Sequence, residues 1–453
     1  MAGKRDDMRE SGGVGIGFRP QLATALLGAP ERVDFVEVVV EACRDARARR
    51  EAAAVAELWP VVPHGVKLSL GSAEGIEAGR AKEIGDLARE LRAPMVSEHV
   101  SFVRAGGREI GHLTELPMTR EAIRVVARNV AVLRRHLPDV PLLLENVARA
   151  FLWDETGMSE GAFHHEIVRA TGCELLLDVA NLYANARNAG RDPVEALAEF
   201  PLEHVRMVHV AGGIVEEEFY FDTHTHPVPG PIFDLVARVL AVRPDAAIML
   251  ERDGSFDDLG SIFAEVDHLR HIADAAPRSA PLRSALPPAS PIEATSEETT
   301  ALAAAQATLA DRLVAVDTPE DASVDLRRAR VVLERKRADD AMPLLPTLGS
   351  RICTNEAMSL GRIAETPRLP VMNAIADAMR IAESALARPH LAAAAARDGL
   401  VLRARFAGGP ASPRPRTAPW MGKEDLPNGH SIWAWKGFGR SSAVHFVETG
   451  GRG

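Results

Sequence analysis

The chain has 453 residues, of which 46% are hydrophobic and 26% are charged, so it can bury a core and wholesale disorder is excluded. Because 53 Lys and Arg residues stand against 63 Asp and Glu residues, the formal net charge is -10, which argues against a protein that mainly grips phosphate backbones. The length predicts one barrel-sized domain followed by a smaller one.

The cysteines and the first residues of the chain indicate the cellular compartment in which the protein works. Cys43, Cys173 and Cys353 lie far apart without a CxxC pair, which excludes a disulfide framework and a thiolate zinc site. The polar start of the chain lacks the apolar core of a secretory signal, and no apolar run is long enough to span a bilayer. We therefore expect a cytoplasmic protein that binds neither nucleic acid nor a membrane.

Eight short apolar runs alternate with stretches of helical period. The runs begin at Val14, Val33, His64, Pro94, Pro141, Cys173, His204 and Ala246. Their near-continuous hydrophobicity is typical of strands that are covered on both faces, and the intervening segments have the spacing of crossover helices. Eight such units predict an α/β fold, a TIM (β/α)8 barrel, over residues 1–276. A doubly wound sheet is the alternative, because the number of strands does not prove closure.

The composition changes after the barrel segment. Residues 277–299 are rich in Pro, Ser and Ala and have little to bury, which is typical of a linker. Residues 300–453 are predicted to form a smaller, mainly helical C-terminal domain, with a tail that contains Trp420, Trp433 and Trp435. Because this part has no catalytic motif, we expect an accessory or interaction domain.

Polar side chains lie at the carboxyl ends of six of the predicted strands, which is where a TIM barrel has its active site. The loop after the seventh run adds a second set. Together they are His64, Glu98, His99, Glu145, Asp178, Asn181, His209, Glu251 and Asp253 at the strand ends, and Asp222, His224 and His226 in the loop. The convergence of so many imidazoles and carboxylates on one mouth is difficult to explain by loop chemistry alone.

The number of candidate ligands predicts more than one metal ion, because one facial triad needs two His and a single carboxylate. Mixed nitrogen and oxygen ligation without thiolates suits iron, manganese or zinc with open positions. Carboxylates such as Glu145, Asp178 and Glu251 are able to bridge neighbouring ions.

Four of these side chains also have structural interpretations. His64 fits a hydrogen-bonded core histidine, and Asn181 fits a helix cap. Glu98 and Asp253 fit either an outer layer of hydrogen bonds or simple exposure.

Other polar features are left out of the predicted site. His112, His164 and His165 are expected to be exposed to solvent. The glycines of GGVGIGF lack the third glycine that opens a helix in a dinucleotide loop. No GxSxG elbow or GxxxxGK[ST] loop is present, which disfavours serine hydrolases and P-loop proteins.

At these residues the sequence resembles the DUF692 family, a group of multinuclear non-heme iron enzymes that includes the catalytic subunit of methanobactin biosynthesis. The resemblance extends from about residue 15 to residue 275. The matching blocks are HGVKLSLGS from His64, VSEHVSF from Val96, TELPMTREAI from Thr114, LLLENV from Leu142, LLLDVANLYANARNAGRDP from Leu175, VHVAGG from Val208, DTHTHPV from Asp222 and MLERD from Met249.

The resemblance implies a metal site, a reaction and partners. It implies two or three iron ions that alternate between Fe2+ and Fe3+, with O2 as co-substrate, and oxidation of cysteine residues in a ribosomally synthesised precursor peptide. A separate peptide-recognising protein is the usual partner, and residues 300–453 would be its fused equivalent. The implied metal ligands are His64, His99, Glu145, Asp178, Asn181, His209, Asp222, His224 and Glu251, with Glu145, Asp178, His209 and Glu251 as the catalytic residues.

Three positions depart from the usual DUF692 pattern. Ala180 and Ala42 stand where the family tends to have Asn, and Gly213 stands where it often has His. None of the implied ligands is lost, so these departures concern contacts with the substrate and outer hydrogen bonds rather than metal binding.

Two other functions remain open at this point. The barrel and its His, Asp and Glu residues also resemble the xylose-isomerase and endonuclease-IV superfamily, in which divalent metals isomerise sugars or cleave phosphodiesters. A non-enzymatic metal-binding scaffold for the C-terminal domain is the third interpretation. Redox activity distinguishes the iron enzyme from both, because zinc and magnesium sites consume no O2.

Overall fold

A computed structural model of the protein describes residues 12–151, 153, 157–216, 218–277, 295–316, 321–369 and 372–449. The chain divides into two compact units, Met1–Thr308 and Leu309–Gly453. Among the described residues, no helix combines the length and the hydrophobicity that crossing a bilayer requires.

The first unit contains a closed barrel of eight parallel strands, in which each strand pairs with its neighbours along the chain and the last pairs with the first. This confirms the predicted TIM barrel and rules out the doubly wound sheet. Closure places all eight carboxyl ends on one rim. The strands are β1 Gly13–Gly17, β2 Phe35–Val39, β3 Val61–Gly65, β4 Val96–His99, β5 Leu142–Glu145, β6 Glu174–Asp178, β7 Val205–Val210 and β8 Ala247–Leu250.

The third strand begins earlier than the apolar run that predicts it. The run starts at His64, whereas β3 spans Val61–Gly65 and pairs Val38 of β2 with Pro63. Pro63 hides this start, because proline lacks the N–H that a central strand donates and argues against a strand in a sequence. The shift puts His64 next to the carboxyl end of β3, on the rim of the barrel.

Helices surround the barrel, and capping side chains explain where several of them begin. Side chains of Asp45, Thr119, Ser159 and Asp192 accept backbone N–H groups at helix N-termini. The helices are Ala23–Gly28, Ala46–Val55, Ala78–Glu90, Arg120–Arg134, Glu160–Thr171, Val179–Asn188, Pro193–Ala198, Gly230–Val242 and Leu259–Ala275, with short 3-10 turns at Pro20–Leu22, Pro30–Arg32, Val40–Cys43 and Leu202–His204.

Two β-hairpins interrupt the alternation of strands and helices on the mouth side of the barrel. One follows β4 and pairs Phe102–Ala105 with Arg108–Thr114. The other follows β7 and pairs Gly213–Glu216 with Phe219–Asp222. The second hairpin delivers the Asp222 and His224 segment back to the rim.

The interior of the barrel is filled by side chains rather than by an open channel. One cluster in this interior takes residues from all around the barrel wall: Phe35, Val62, Met95, Leu143, Leu176, Met207, Ala247 and Met249. Gly15 in β1 leaves room for the largest of them, because a Cβ at this position would lie 2.7 Å from the ring of Phe35. The packed interior gives the rim a rigid base.

Helix Ser296–Val314 begins inside the predicted linker, of which residues 278–294 lie outside the described residues. Its first part belongs to the barrel unit. The side chain of Gln306 is fully buried, accepts the backbone N–H of Ala73 at 2.9 Å and donates to the carbonyl of Gly71 at 2.8 Å. The loop after β3 is therefore held by a residue well beyond the end of the barrel.

The second unit is mainly helical, as the sequence predicted, and carries small antiparallel sheets. Its helices pack around a buried core that includes Leu348, Ile381 and Leu402. The helices are Val324–Ala341, Pro346–Gly349, Thr354–Gly361, Asn373–Ala385 and Ala392–Arg405, with 3-10 turns Met342–Leu344 and Ile363–Glu365, and the strands are Phe406–Ala407, Arg414–Pro415, Trp420–Asp425, Ser431–Lys436 and Val444–Thr449.

The contact between Gly15 and Phe35 makes a prediction about stability. Gly15→Ala should destabilise the fold by about 1–3 kcal/mol, because the added methyl overpacks the barrel interior. Gly79→Ala is the matched control: among the described residues, no atom beyond its own helix backbone lies within 4 Å of the added Cβ, and alanine in a helix should stabilise by about 0.4–1 kcal/mol. Urea midpoints of the two variants should move in opposite directions, and a shared direction would contradict the packing argument.

Candidate metal centre

The structure gathers most of the predicted ligands into three adjacent groups. Within each group the potential ligand atoms lie within 4.8 Å of one another. Glu145 belongs to the first and second groups, and Glu251 belongs to the second and third. The groups are His64, His99 and Glu145; Glu145, Asp178, His209 and Glu251; and His224, Glu251 and Asp253.

In the first group, two imidazoles face the same carboxylate oxygen. The Nε2 atoms of His64 and His99 lie 3.6 and 3.1 Å from Oε2 of Glu145. The Nδ1 atom of His99 donates to the carbonyl of Gly65 at 3.1 Å, and Nδ1 of His64 lies 2.9 Å from the hydroxyl of Ser97. Since a carbonyl only accepts, a neutral His99 presents the lone pair of Nε2 to the group, which is the form that binds a metal.

The second group is centred on His209, which is completely buried at the end of β7. Its Nδ1 lies 3.1 Å from Oε1 of Glu145 and 3.4 Å from Oε2 of Glu251. Its Nε2 lies 3.0 Å from a carboxylate oxygen of Glu37. Because a carboxylate holds the proton on Nε2, the lone pair of Nδ1 is directed at the two shared glutamates.

Asp178 completes the second group and starts a helix at the same time. Its Oδ1 accepts the backbone N–H of Asn181 at 2.7 Å, so Asp178 is the cap of helix Val179–Asn188. Asn181 is therefore not the cap. Its side-chain amide donates to the carbonyl of Asn146 at 3.1 Å, which fixes it beside Asp178.

The third group is built on His224, which follows the second hairpin. Its Nδ1 lies 3.4 Å from Glu251 and 3.6 Å from Asp253, and its Nε2 lies 2.5 Å from Oδ2 of Asp222. Asp222 is outside the three groups but in contact with one of their members. The backbone of His224 has a φ of 55°, a left-handed conformation that is uncommon outside glycine and is held by bonds to Gly212 and Asp253.

Many buried acids share this small volume with the imidazoles, and Arg19 pairs with Glu251 and Asp253 at its outer side. Burial, together with Asp222 and Glu145, raises the pKa of Asp178 well above its ordinary value. Burial opposes ionisation of Glu145, yet His99 and His209 hold the pKa of Glu145 at about 2. The mutual repulsion of the carboxylates favours cations at this site.

Unpaired polar atoms give an independent test of whether metal ions fit. Among the described residues, several buried atoms of the cluster have no hydrogen-bond partner, which is rare in proteins. They are Oε2 of Glu145, Oδ2 of Asp178, Oδ1 of Asp222 and Nδ1 of His209. All four are potential ligand atoms, and oxygen and imidazole donors without thiolates suit iron, manganese or zinc. The residues present therefore fit a multinuclear metal centre.

Sequence reasoning missed Glu37, which holds the imidazole of His209. The side chain is only 1% exposed in the middle of β2. Its sequence context was informative, since an acid inside a strand covered on both faces needs a partner.

Arg19 was also missed. It follows β1 and pairs with Asp253 at 2.5 Å, so a guanidinium closes the outer side of the third group.

The remaining histidines lie outside the three groups. His165 is exposed, as expected, but the expectation for His164 was wrong: this ring is buried and stacks on Phe200 with a centroid distance of 5.2 Å. Neighbouring residues of one helix face opposite sides, and the polar character of the segment hid the apolar stripe. His112, expected to be exposed, is half-buried in the first hairpin, and His226 is half-buried as well.

Comparisons with known proteins find relatives of the part of the chain that forms the barrel. A family profile described as RiPP precursor modification enzyme MbnB/TglH/ChrH matches residues 13–274; RiPPs are ribosomally synthesised and post-translationally modified peptides. A UPF0276 protein of Streptomyces avermitilis is 40% identical over 266 residues, which are 57% of this chain and 54% of that relative. The match thus spans about half the length of the Streptomyces protein. A UPF0276 protein of Caulobacter vibrioides is 36% identical over 261 residues, 57% of this chain and 93% of the relative.

Solved structures with a related barrel are more distant. Endonuclease IV from Thermus thermophilus has a TM-score of 0.40 and 19% identity, covering 57% of this chain and 99% of its own. A xylose isomerase domain protein from Planctomyces limnophilus has a TM-score of 0.41 and 15% identity, covering 59% of this chain and 99% of its own. At these values neither likeness bears on activity.

The contact between Glu37 and His209 predicts a loss of metal affinity. Glu37→Gln should weaken metal binding by about 10- to 100-fold, because the amide no longer supplies the negative charge that makes the imidazole a better ligand. Competition with a chromophoric chelator under anaerobic conditions measures this affinity. Glu115→Gln is the control, because Glu115 is also buried but accepts the backbone N–H of Phe151, whereas Glu37 contacts the candidate ligand His209. Equal losses in both variants would contradict a specific role of Glu37.

The buried ring of His164 predicts a pH dependence. Burial lowers the pKa of His164 from 6.5 to about 4. Between these values the unfolded chain binds a proton that the folded protein does not, so this contribution to stability is present above pH 6.5 and is lost as the pH falls toward 4. His164→Phe should reduce the acid-induced fall of the urea midpoint, whereas His165→Phe should not. Parallel pH profiles for both variants would show that His164 contributes nothing.

Proposed function

The chain belongs to the family of RiPP precursor modification enzymes MbnB/TglH/ChrH, and from this membership we propose that it is a multinuclear non-heme iron enzyme that uses O2 to oxidise cysteine residues of a ribosomally synthesised peptide. The observation that carries the proposal is the sharing of Glu145 and Glu251 between adjacent groups of ligands. Shared carboxylates allow neighbouring cations to lie close together without excessive repulsion, as a two- or three-iron centre requires.

The proposed ligands are the nine residues of the sequence analysis. Four residues of this set are assigned to the reacting centre, because they form the second group, which shares a glutamate with each of the other two groups. They are Glu145, Asp178, His209 and Glu251. Asp253 faces Nδ1 of His224, whereas Asp222 faces Nε2, and Asp253 is a further candidate in the third group. The complete set is His64, His99, Glu145, Asp178, Asn181, His209, Asp222, His224 and Glu251.

The protein contributes geometry and a dry environment, and iron, when bound, supplies the redox chemistry with O2. Glu37 keeps the proton of His209 on Nε2. Glu98 accepts the backbone N–H groups of His99 and Leu68, which ties the end of β4 to the loop after β3. Among the described residues, the first group has three candidate ligands, so a metal ion held there would have open positions for a substrate thiolate.

Elemental analysis of protein purified without oxygen tests the proposal. The wild type should contain two or more iron atoms per chain. A His209→Ala/Glu251→Ala double variant should lose most of them, because the second group loses two ligands and the third group loses one. Glu115→Gln, a buried acid outside the groups, should keep the iron content of the wild type.

Zinc, manganese or no stoichiometric metal in the wild type would overturn the iron enzyme. Uptake of O2 by the iron-loaded protein in the presence of a Cys-containing precursor peptide is the complementary measurement. A zinc or magnesium isomerase and a passive scaffold would both leave O2 unchanged.

We also propose that residues 300–453 recognise the precursor peptide. The three-stranded sheet of this region has one exposed face with aromatic and apolar side chains. Trp433 and Trp435 occupy its central strand, Val447 lies opposite Trp433 and Met421 lies opposite Trp435. Exposed apolar patches on one face of a domain are typical of interaction surfaces.

A double variant in the full-length protein tests this role. Trp433→Ser/Trp435→Ser should weaken binding of the Cys-containing peptide by about ten-fold or more in fluorescence anisotropy, because two large apolar contacts are lost. Its metal content should not change. Leu27→Ser removes an exposed apolar side chain from the barrel unit and is the control. Unchanged peptide affinity in the double variant would assign recognition to the barrel.

A further inference from the structure

The hydroxyl of Tyr220 is buried beside the metal centre without a hydrogen-bond acceptor. Tyr220 lies in the hairpin strand Phe219–Asp222 and is only 4% exposed. Among the described residues, Oη has no partner that meets hydrogen-bond geometry. The backbone N–H of Gly213 approaches this oxygen, but an N–H is able only to donate, so the phenolic proton still lacks an acceptor.

Packing directs the hydroxyl end of the ring toward Asp222. Gly213 lies opposite Asp222 in the hairpin, and a Cβ on Gly213 would lie 2.8 Å from Cε1 and Cζ of Tyr220. The ring thus occupies the space of the missing side chain at position 213. Tyr220 and Asp222 are two residues apart on one strand and project to the same side.

The backbone of Tyr220 is fixed by an amide clamp. The side chain of Asn188 accepts the N–H of Tyr220 at 2.8 Å and donates to its carbonyl at 3.0 Å. Asn188 ends the helix that Asp178 begins, so one helix holds both the tyrosine and a candidate metal ligand. Tyr183 of the same helix packs against the Tyr220 ring, with centroids 5.1 Å apart. The position of the hydroxyl is therefore specified rather than incidental.

Two acceptors near this hydroxyl are also unsatisfied. Oδ1 of Asp222 and Oδ2 of Asp178 are buried without partners among the described residues. Both oxygens are candidate metal-ligand atoms, so a metal ion would satisfy them, and the phenolic proton is then the polar group at this end of the cluster that still lacks a partner.

We propose that Tyr220 donates a hydrogen bond to a small anion, or to an anionic group of the substrate, bound at the Asp222 and His224 end of the metal centre. The inference rests on the proposed metal centre and adds a residue that touches the bound ligand. A phenol suits this position because it donates a proton without adding charge to an already acidic site. Its rigid ring holds the proton in a fixed direction.

Tyr183 provides a matched control within the same contact. The chain has two tyrosines, and Tyr183 already has a partner, because Nη1 of Arg187 donates to its hydroxyl at 3.3 Å. Removal of each hydroxyl in turn therefore separates the hydroxyl that has no partner from the hydroxyl that accepts a hydrogen bond from Arg187, while both rings stay in place.

The experiment uses azide as the probe anion and the full-length protein with the metal that it retains after anaerobic purification. Calorimetric titration should show azide binding weakened about 10- to 100-fold in Tyr220→Phe and unchanged in Tyr183→Phe, in line with the loss of one hydrogen bond to a charged group. Metal content, measured by elemental analysis, should be equal in all three proteins.

Thermal unfolding of the metal-free proteins distinguishes a ligand-binding hydroxyl from a structural one, because only loss of a structural hydrogen bond would lower the unfolding temperature. Tyr220→Phe should unfold at the same or a higher temperature than the wild type, because among the described residues the phenolic proton has no acceptor to lose. A lower unfolding temperature would indicate a structural hydrogen bond and overturn the proposal. Equal azide affinity of wild type and Tyr220→Phe, or loss of metal from Tyr220→Phe alone, would overturn it as well.

The outcomes also separate this inference from the proposed function. A wild type that holds zinc in place of iron sinks the oxygenase, but the azide comparison still decides the role of Tyr220, since azide binds zinc too. A wild type that holds no metal or binds no azide overturns the inference itself.

Discussion

The concentration of negative charge at one end of the barrel is the constraint on which the rest of the site depends. Glu145 faces imidazoles of two groups with its two oxygens, and Glu251 connects the second group to the third. Removing several carboxylates from water is costly unless cations compensate their charge. Each shared glutamate therefore makes sense only if positive charge occupies both sides of it. This is why the three groups are better understood as one centre than as separate sites.

The second requirement is rigidity, because a cluster of unsatisfied ligands would otherwise rearrange to satisfy itself. The histidines are fixed through the ring nitrogen that faces away from the centre: His99 by the carbonyl of Gly65, His209 by Glu37, and His64 by Ser97. The packed interior of the barrel supports them from below. Energy from apolar burial in the barrel thus offsets the electrostatic cost of the mouth.

The barrel unit does not end with the segment that matches the family. Gln306 reaches the loop after β3, the strand that carries His64, and satisfies a backbone donor and a backbone acceptor there. The side-chain amide of Gln306 favours one conformation of this loop, since loss of either contact leaves a buried backbone group unpaired. The later part of the chain therefore contributes to the environment of the predicted site, in addition to forming a helical unit with its own core.

Periodicity and strand-end chemistry were sufficient to predict the eight strands, the TIM barrel and the convergence of His, Asp and Glu side chains on one rim, because parallel strands and crossover helices leave local patterns. Two errors were also local. Pro63 concealed the start of β3, and a polar helix concealed the buried face that holds His164.

The sequence already contains histidine and carboxylate side chains at the predicted strand ends, and these residue types ligate metals. Which of them face a common neighbour depends on the folded barrel. Glu37 and His209 are 172 residues apart, and Arg19 and Asp253 are 234 apart, so no local pattern connects them. The same holds for the place of Tyr220 over Gly213, which depends on the hairpin register. Barrel closure creates these neighbours, because it brings the ends of all eight strands to one rim regardless of their separation along the chain.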